Sequence, residues 1–370
     1  MHSQTFGRPD INVFNADCLA VLRELPSNSV DSVVTDPPYA ISAADALEAL
    51  EQSDSDAVMA AGMLGMQSQN WNETATHSRG YIDNDPDLFE AWCRLWVSEC
   101  LRVLKPGGHL VAFGGTPTWH RLACAIEKSG FVIRGSMAWL YATGFPKGVN
   151  VGAALDGSKS IGGSAARGVV AGAAGTTARR WDGWSTALKP GHEPMVLARK
   201  PLIGTVAANV TRYGTGALNI DGCRVGTDLE AGTDLAGRWP SDVFMDAAVA
   251  SELDELANRP VSRFFWHAKP GADERVTVRG VAHPTVKPLS LIQEIVRLVT
   301  PPNGTVLDPF AGSGTTLAAC IVEGFGCVAV EREADYLPLI EQRANRRLNP
   351  VQAVAASGED LGLFAMFEDV

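Results

Sequence analysis

The 370 residues contain no run of about eighteen consecutive apolar residues, which excludes an ordinary transmembrane helix. The opening segment, Met1 to Asp10, is polar and lacks the apolar stretch of a secretory signal. Cysteine is sparse: the 7 residues form no Cys-x-x-Cys pair and have no histidine at zinc spacing. They read as reduced, buried thiols of a cytoplasmic protein, with no metal site expected. Positive charge is short as well. Lys and Arg number 31 against 42 Asp and Glu, a net charge of -11, which weighs against a uniformly basic nucleic-acid surface. The deficit is uneven. Residues 1–100 carry 4 Lys/Arg against 16 acids, whereas residues 141–226 carry 10 Lys/Arg against 4 acids. A basic middle in an acidic chain suits either a nucleic-acid-facing insertion or an ordinary solvated surface.

What is present is a set of short apolar runs that end in polar loops. Ile11–Phe14 leads to Asp17, Val30–Val34 to Asp36-Pro37-Pro38-Tyr39, and His109–Phe113 to Gly114-Gly115. Thr305–Leu307 leads to Asp308, and Cys327–Val330 to Glu331. These read as buried parallel strands. Helical periodicity over Leu88–Leu104 and Leu289–Thr300 alternates with them, each helix closed by Pro or Gly. The pattern predicts an α/β, doubly wound sheet with ligand loops at the strand ends. Residues 41–80 read as a loop, 152–178 as a Gly/Ala/Ser-rich flexible stretch, and 146–283 as an insertion without a legible fold.

Two loops carry chemistry. Asp308-Pro309-Phe310-Ala311-Gly312-Ser313-Gly314-Thr315 is a strand end, a tight glycine turn and a helix start. Glu331, at the end of the next strand, is placed to accept a pair of ribose hydroxyls. No Gly-x-Gly-x-x-Gly follows a strand, and Asp308 would repel a pyrophosphate. The same carboxylate would attract the cationic amino-acid end of S-adenosylmethionine. In Asp36-Pro37-Pro38-Tyr39, the Asp36 carboxylate and the Pro37 carbonyl can each accept one hydrogen of an exocyclic base amine. That would turn its conjugated lone pair towards a methyl donor. The prolines fix the backbone, and Tyr39 offers a face for an extruded base. No covalent nucleophile is required, and no Cys stands in a Pro-Cys context.

Together these residues resemble the amino-methylating DNA methyltransferases of bacteria and phages. The tetrapeptide is similar to that family's catalytic motif and the Asp308–Thr315 loop to its cofactor motif. Catalytic motif first and cofactor motif last is the β-class order. The resemblance implies a Rossmann-like, circularly permuted fold with a seven-stranded, mostly parallel sheet and an inserted target-recognition region. Residues 1–145 would form the catalytic half, 146–283 the insertion, 284–349 the cofactor half and 350–370 a tail. It further implies S-adenosylmethionine as cofactor, with Asp17 near its adenine and with Thr285 and Lys287, in His283–Pro288, on its carboxylate. The partner is double-stranded DNA, and a homodimer and a cognate restriction endonuclease are left open. Because the cytosine-N4 members of the family the chain resembles more often carry Ser at this position, Asp36 implies adenine N6, with cytosine N4 as the alternative. Among weaker signals, Trp139, Tyr141 and Arg263–His267 read as core, and His192 and His283 as structural groups. Trp181 and Trp184 beside Arg179-Arg180 fit either nucleic-acid contact or plain surface.

Overall fold

A computed structural model describes residues 2–5, 10–39, 86–142, 144, 148–155, 176–225, 237–258, 261–264, 266–268, 277–278, 280–283 and 286–348. Loop 41–80 and tail 350–370 lie outside the described residues, as does most of the Gly/Ala/Ser-rich stretch. The first part of the chain supplies β1 (His2–Thr5), β2 (Ile11–Asn15), α1 (Cys18–Glu24), β3 (Val30–Thr35) and α2 (Pro86–Val103). Next come β4 (Leu104–Phe113), α3 (Trp119–Lys128), β5 (Val132–Leu140), α4 (Val151–Leu155), α5 (Thr176–Arg180), β6 (His192–Arg199) and α6 (Val206–Tyr213). Then follow β7 (Val243–Asp246), α7 (Ala247–Ala257), β8 (Trp266–Ala268) and the small hairpin β9 (Thr277–Val278) and β10 (Val281–Ala282). The last part supplies α8 (Leu289–Val299), β11 (Thr305–Asp308), α9 (Thr315–Glu323), β12 (Gly326–Glu331) and α10 (Leu337–Leu348).

Among the described residues, the main sheet has 10 strands in the order β1-β2-β12-β11-β3-β4-β6-β5-β7-β8. The expected seven-stranded unit is its contiguous stretch from β2 to β5. β1 extends one edge in antiparallel fashion, and β7 and β8 extend the other in parallel. From β2 to β4 every pairing is parallel, and β6 alone runs against its neighbours β4 and β5. Three strands, β6, β7 and β8, come from the region read as an insertion. The edge drawn at residue 146 therefore does not follow the sheet: His192–Arg199 passes through its middle.

Helices cover both faces. On one, Leu291, Ile292, Ile295, Val296 and Val299 of α8 recur at three- and four-residue spacing, so one stripe is buried against the sheet with α9 and α10. On the other, Leu19 and Leu22 of α1, Trp92, Trp96 and Cys100 of α2, and Leu122 and Ile126 of α3 pack together. All 7 cysteines are free thiols and, apart from half-buried Cys124, all are buried. Burial pushes the thiols of Cys18 and Cys223 up to about 12, so neither is a ready nucleophile. Lys105-Pro106-Gly107-Gly108, expected as a helix stop, belongs to β4. There the register against β3 shifts between Val30 and Ser32, and Gly107 takes φ of +81°. Among the described residues, no helix is long and apolar enough to cross a membrane.

Candidate active site

The two chemistry-bearing loops, far apart in sequence, leave neighbouring strands at one edge. β3 and β11 are adjacent and parallel, with Leu307 opposite Val33. The Thr35 hydroxyl donates to Asp308 Oδ1 at 2.7 Å, joining the last residue of β3 to the last residue of β11. Asp36 and the turn after Asp308 therefore open onto the same space, at the carboxyl ends of the strands where open α/β sheets bind ligands.

On the catalytic side, Asp36 Oδ2 accepts a hydrogen bond from the buried ammonium of Lys287. Lys287 also lies 3.2 Å from Glu193 Oε2 and faces the rings of Phe113 and Tyr39, at 5.0 Å and 5.3 Å from their centroids. Burial alone would lower the Lys287 pKa, but the Asp36 and Glu193 carboxylates outweigh it and hold the value above that of free lysine. The Tyr39 hydroxyl donates to Glu193 Oε2 at 2.8 Å, and the Tyr39 carbonyl accepts from Thr118 Oγ1 at 2.7 Å. Burial, then the Asp36 and Glu193 charges, push the phenol far above its ordinary value, so it stays protonated. A Cβ on Gly115 would stand 3.0 Å from Tyr39 Cβ, so glycine there lets the ring seat closely. Asp36 Oδ1 is buried and has no hydrogen-bond partner among the described residues. A buried, unfilled carboxylate lone pair is costly unless a ligand donor meets it.

On the cofactor side, Asp308 is buried, and its Oδ1 also accepts from the Phe310 N–H at 3.1 Å. Burial raises its carboxyl to about 6, against the lowering effect of the Thr35, Thr316 and Phe310 hydrogen bonds. Gly312 and Gly314 take φ of +52° and +80°, a backbone region unfavourable to other residues. The Gly312 N–H donates to Glu331 Oε2 at 2.7 Å and the Glu333 N–H to Glu331 Oε1 at 2.8 Å. Burial raises the Glu331 pKa against those bonds. Ser313 and Thr315 are buried, and Thr315 Oγ1 accepts from Arg343 at 3.2 Å. Ala311 is buried, and its N–H bonds to the Val330 carbonyl at 2.8 Å.

The remaining expected residues behave differently. Phe310 packs on Trp92 and Trp96, with centroids at 5.8 Å and 5.3 Å, as part of the core on that face. Asp17 caps α1, accepting from the Leu19 and Ala20 N–H groups. It follows β2, whose Asn15 pairs with Glu331, so it lies at the same edge. Lys287, assigned by resemblance to the methionine carboxylate, is engaged by Asp36 and Glu193. Thr285 lies outside the described residues. Glu193, Phe113 and Thr35 received no role from the sequence. The signal for Glu193 was an acid at the head of the apolar run Pro194–Ala198, which lies within β6.

A sequence profile of a DNA methylase family, the N6/N4 methyltransferases, matches residues 30–342. The chain belongs to this family. It is accordingly an S-adenosylmethionine-dependent DNA methyltransferase of the N6-adenine or N4-cytosine kind. The methylase is 25% identical over 321 residues to the type II methyltransferase M.HindIII of Haemophilus influenzae, covering 83% of this chain and 86% of that one. It is 21% identical over 341 residues to M.HinfI from the same species, covering 91% and 69%. Among solved structures, the cytosine-N4-specific PvuII DNA methyltransferase aligns with a TM-score of 0.49 and 15% identity, over 93% of the methylase and 97% of that chain. TTHA0409 from Thermus thermophilus, complexed with S-adenosyl-L-methionine, aligns with a TM-score of 0.45 and 18% identity, over 91% and 94%. The donor set of the methylase fits the cofactor: two buried carboxylates flank a glycine turn, and an unpartnered Asp36 oxygen faces the same edge.

Proposed function

We propose that the methylase acts on the N6 amine of adenine in double-stranded DNA, with Asp36 and the Pro37 carbonyl as acceptors of its two hydrogens. The observation that carries the acceptor role is Asp36 Oδ1, buried and, among the described residues, without a partner beside Tyr39, while the choice of adenine rests on Asp rather than Ser at position 36. An acceptor in that state gains most from a donor that is present only when the target base has entered. Tyr39 presents its ring to the extruded base while Glu193 and Thr118 hold the residue at both ends. S-adenosylmethionine supplies the electrophilic methyl group. Glu331 holds its ribose hydroxyls, Asp308 its cationic amino group, and Asp17 its adenine. The Ala311–Thr315 turn gives close backbone approach, and Thr285 contributes to the carboxylate end. The parts of residues 146–283 that lie outside the sheet serve target recognition. Arg179, Arg180 and Lys189 accompany the exposed Trp181 and Trp184, which pack edge to face at 5.1 Å, as a phosphate- and base-contacting surface.

The test is incubation of plasmid DNA with isotope-labelled cofactor, followed by nucleoside analysis. Label is expected in N6-methyladenine, and label in N4-methylcytosine overturns the adenine assignment. Asp36→Ala is expected to lose about a thousandfold or more in turnover while still binding cofactor. Near-normal turnover in that variant removes Asp36 from the reaction.

A further inference from the structure

Asp36 offers two oxygens and Lys287 one ammonium, and among the described residues only the Oδ2 side is taken. Something must keep the ammonium from bridging both oxygens. A lysine whose sole anionic neighbour is a carboxylate can share its three N–H donors across that whole group. Glu193 supplies the second neighbour. It is the second residue of β6, which runs against β4 and β5, so it reaches the catalytic edge from the start of its strand rather than the end. In register it stands opposite Trp139, and the next residue, Pro194, accepts from the Gly114 N–H at 3.0 Å, so its backbone is fixed on both sides. Its Oε2 is held by the Tyr39 hydroxyl at 2.8 Å and lies 3.2 Å from Lys287 Nζ.

We propose that Glu193 is a positioning residue for methyl transfer: it draws the Lys287 ammonium to the Oδ2 side of Asp36 and so leaves Oδ1 open to the target amine. This rests on the reading of Asp36 as an acceptor of amine hydrogens. Tyr39 is the anchor of the device, since the hydroxyl that fixes Glu193 belongs to the ring on which the base would stack. Loss of the Glu193 charge would let Lys287 occupy Oδ1, and the base amine would meet a filled acceptor.

The experiment is steady-state and single-turnover methylation by full-length Glu193→Gln, which keeps the side-chain volume and a carbonyl acceptor for Tyr39 but removes the charge. We expect kcat to fall about 100-fold, the scale of a misplaced reacting group, with KM for DNA and cofactor within about threefold of wild type and an unchanged melting temperature. The double variant Glu193→Gln, Lys287→Met removes the ammonium that would block Oδ1. At saturating cofactor it is expected to recover about tenfold in kcat over Glu193→Gln alone. A wild-type kcat in Glu193→Gln overturns the proposal, as does a loss confined to KM or matched by a fall in melting temperature. So does a Glu193→Gln chain that fails to fold, because Glu193 would then hold the structure rather than the acceptor. A double variant no faster than the single overturns it too. Asp36→Ala, run in parallel, separates the two layers: if it stays active the acceptor reading itself fails. If it is inactive while Glu193→Gln is normal, only the role of Glu193 fails.

Discussion

Replacing Asp308 by Asn should stabilise the cofactor-free methylase while weakening its hold on the cofactor. The carboxyl is 2% exposed, and burial lifts its pKa from 3.8 to about 6. The folded value lies above the unfolded one, so the folded chain binds this proton more tightly than the unfolded chain does. Asp308 therefore weakens the fold progressively as pH rises from 3.8 through about 6, and its penalty is complete above about pH 7. At about 1.4 kcal/mol per pKa unit the full penalty is about 3 kcal/mol, falling to about half of that at pH 5. Asn keeps an oxygen for the Thr35 hydroxyl and the Phe310 N–H and carries no charge to bury. Urea unfolding of wild type and Asp308→Asn at pH 5, 6 and 7.5 should show a difference that grows with pH towards that limit. Glu331, raised by burial, is raised further by the Asp308 charge, so Asp308→Asn relieves it as well and its contribution adds to the difference in the same direction. Calorimetric titration with cofactor should show affinity reduced more than about tenfold, the trade of stability for function found at binding sites. A variant no more stable than wild type at pH 7.5, or equally stabilised at pH 5, would refute the claim that the fold bears the cost of a buried charge for the cofactor.

Gly314→Ala should lower stability by about 1–2 kcal/mol, because φ is +80° and the new Cβ would lie 3.1 Å from Ile340 Cγ2. Cofactor affinity should fall with it, and melting curves with and without cofactor would expose an unperturbed variant. Arg297 bonds both oxygens of Glu294, at 2.8 Å and 2.9 Å, and both of Glu323, at 2.8 Å and 2.6 Å, tying α8 to α9. Arg297→Met leaves the two carboxylates facing each other and should cost about 1–2 kcal/mol, after discounting for the partial exposure of the pair. Equal unfolding midpoints in urea for the two proteins would contradict this.

The strands that carry the two motifs were legible because parallel strands buried on both faces read as unbroken apolar runs, and their loops announced themselves by Pro and Gly. β5 was not legible: its first three residues are exposed, so Val132–Leu140 shows no buried run. β6 was hidden by context, since Pro194–Ala198 is an apolar run set inside a stretch of Gly, Pro and basic residues. Of the site, Asp36, Tyr39, Asp308 and Glu331 could be read from residue type and strand position. Glu193 could not, because its significance lies in contacts with Tyr39 and Lys287, which lie far from it along the chain. For the same reason the sequence could mark Lys287 as functional but could not say which anion it faces.

The chain order also poses a physical problem that β3 answers. The strand before the catalytic motif and the strand before the cofactor motif must be neighbours, yet most of the chain, residues 36 to 304, separates them. All six residues of β3 are buried, and three of them, Asp31, Ser32 and Thr35, are polar, which alone would be unfavourable. Each has a partner in the distant part of the chain, and Asp31 Oδ1 is held in addition by Lys105 of β4 at 2.6 Å. Asp31 Oδ2 accepts from the Thr305 N–H at 2.9 Å, Ser32 Oγ pairs with Thr300 Oγ1 at 2.8 Å, and Thr35 donates to Asp308 at 2.7 Å. Valines at these positions would be content beside many strands, whereas Ser32 Oγ, Thr35 Oγ1 and Asp31 Oδ2 find these partners where the end of α8 and strand β11 lie alongside. Each bond adds about 1 kcal/mol net, but leaving one member buried and unpaired costs about 1–3 kcal/mol. Their main effect is thus to penalise any arrangement in which another strand takes the place of β11. The same three contacts that select the pairing set the register, and the register sets Asp36 beside the turn after Asp308.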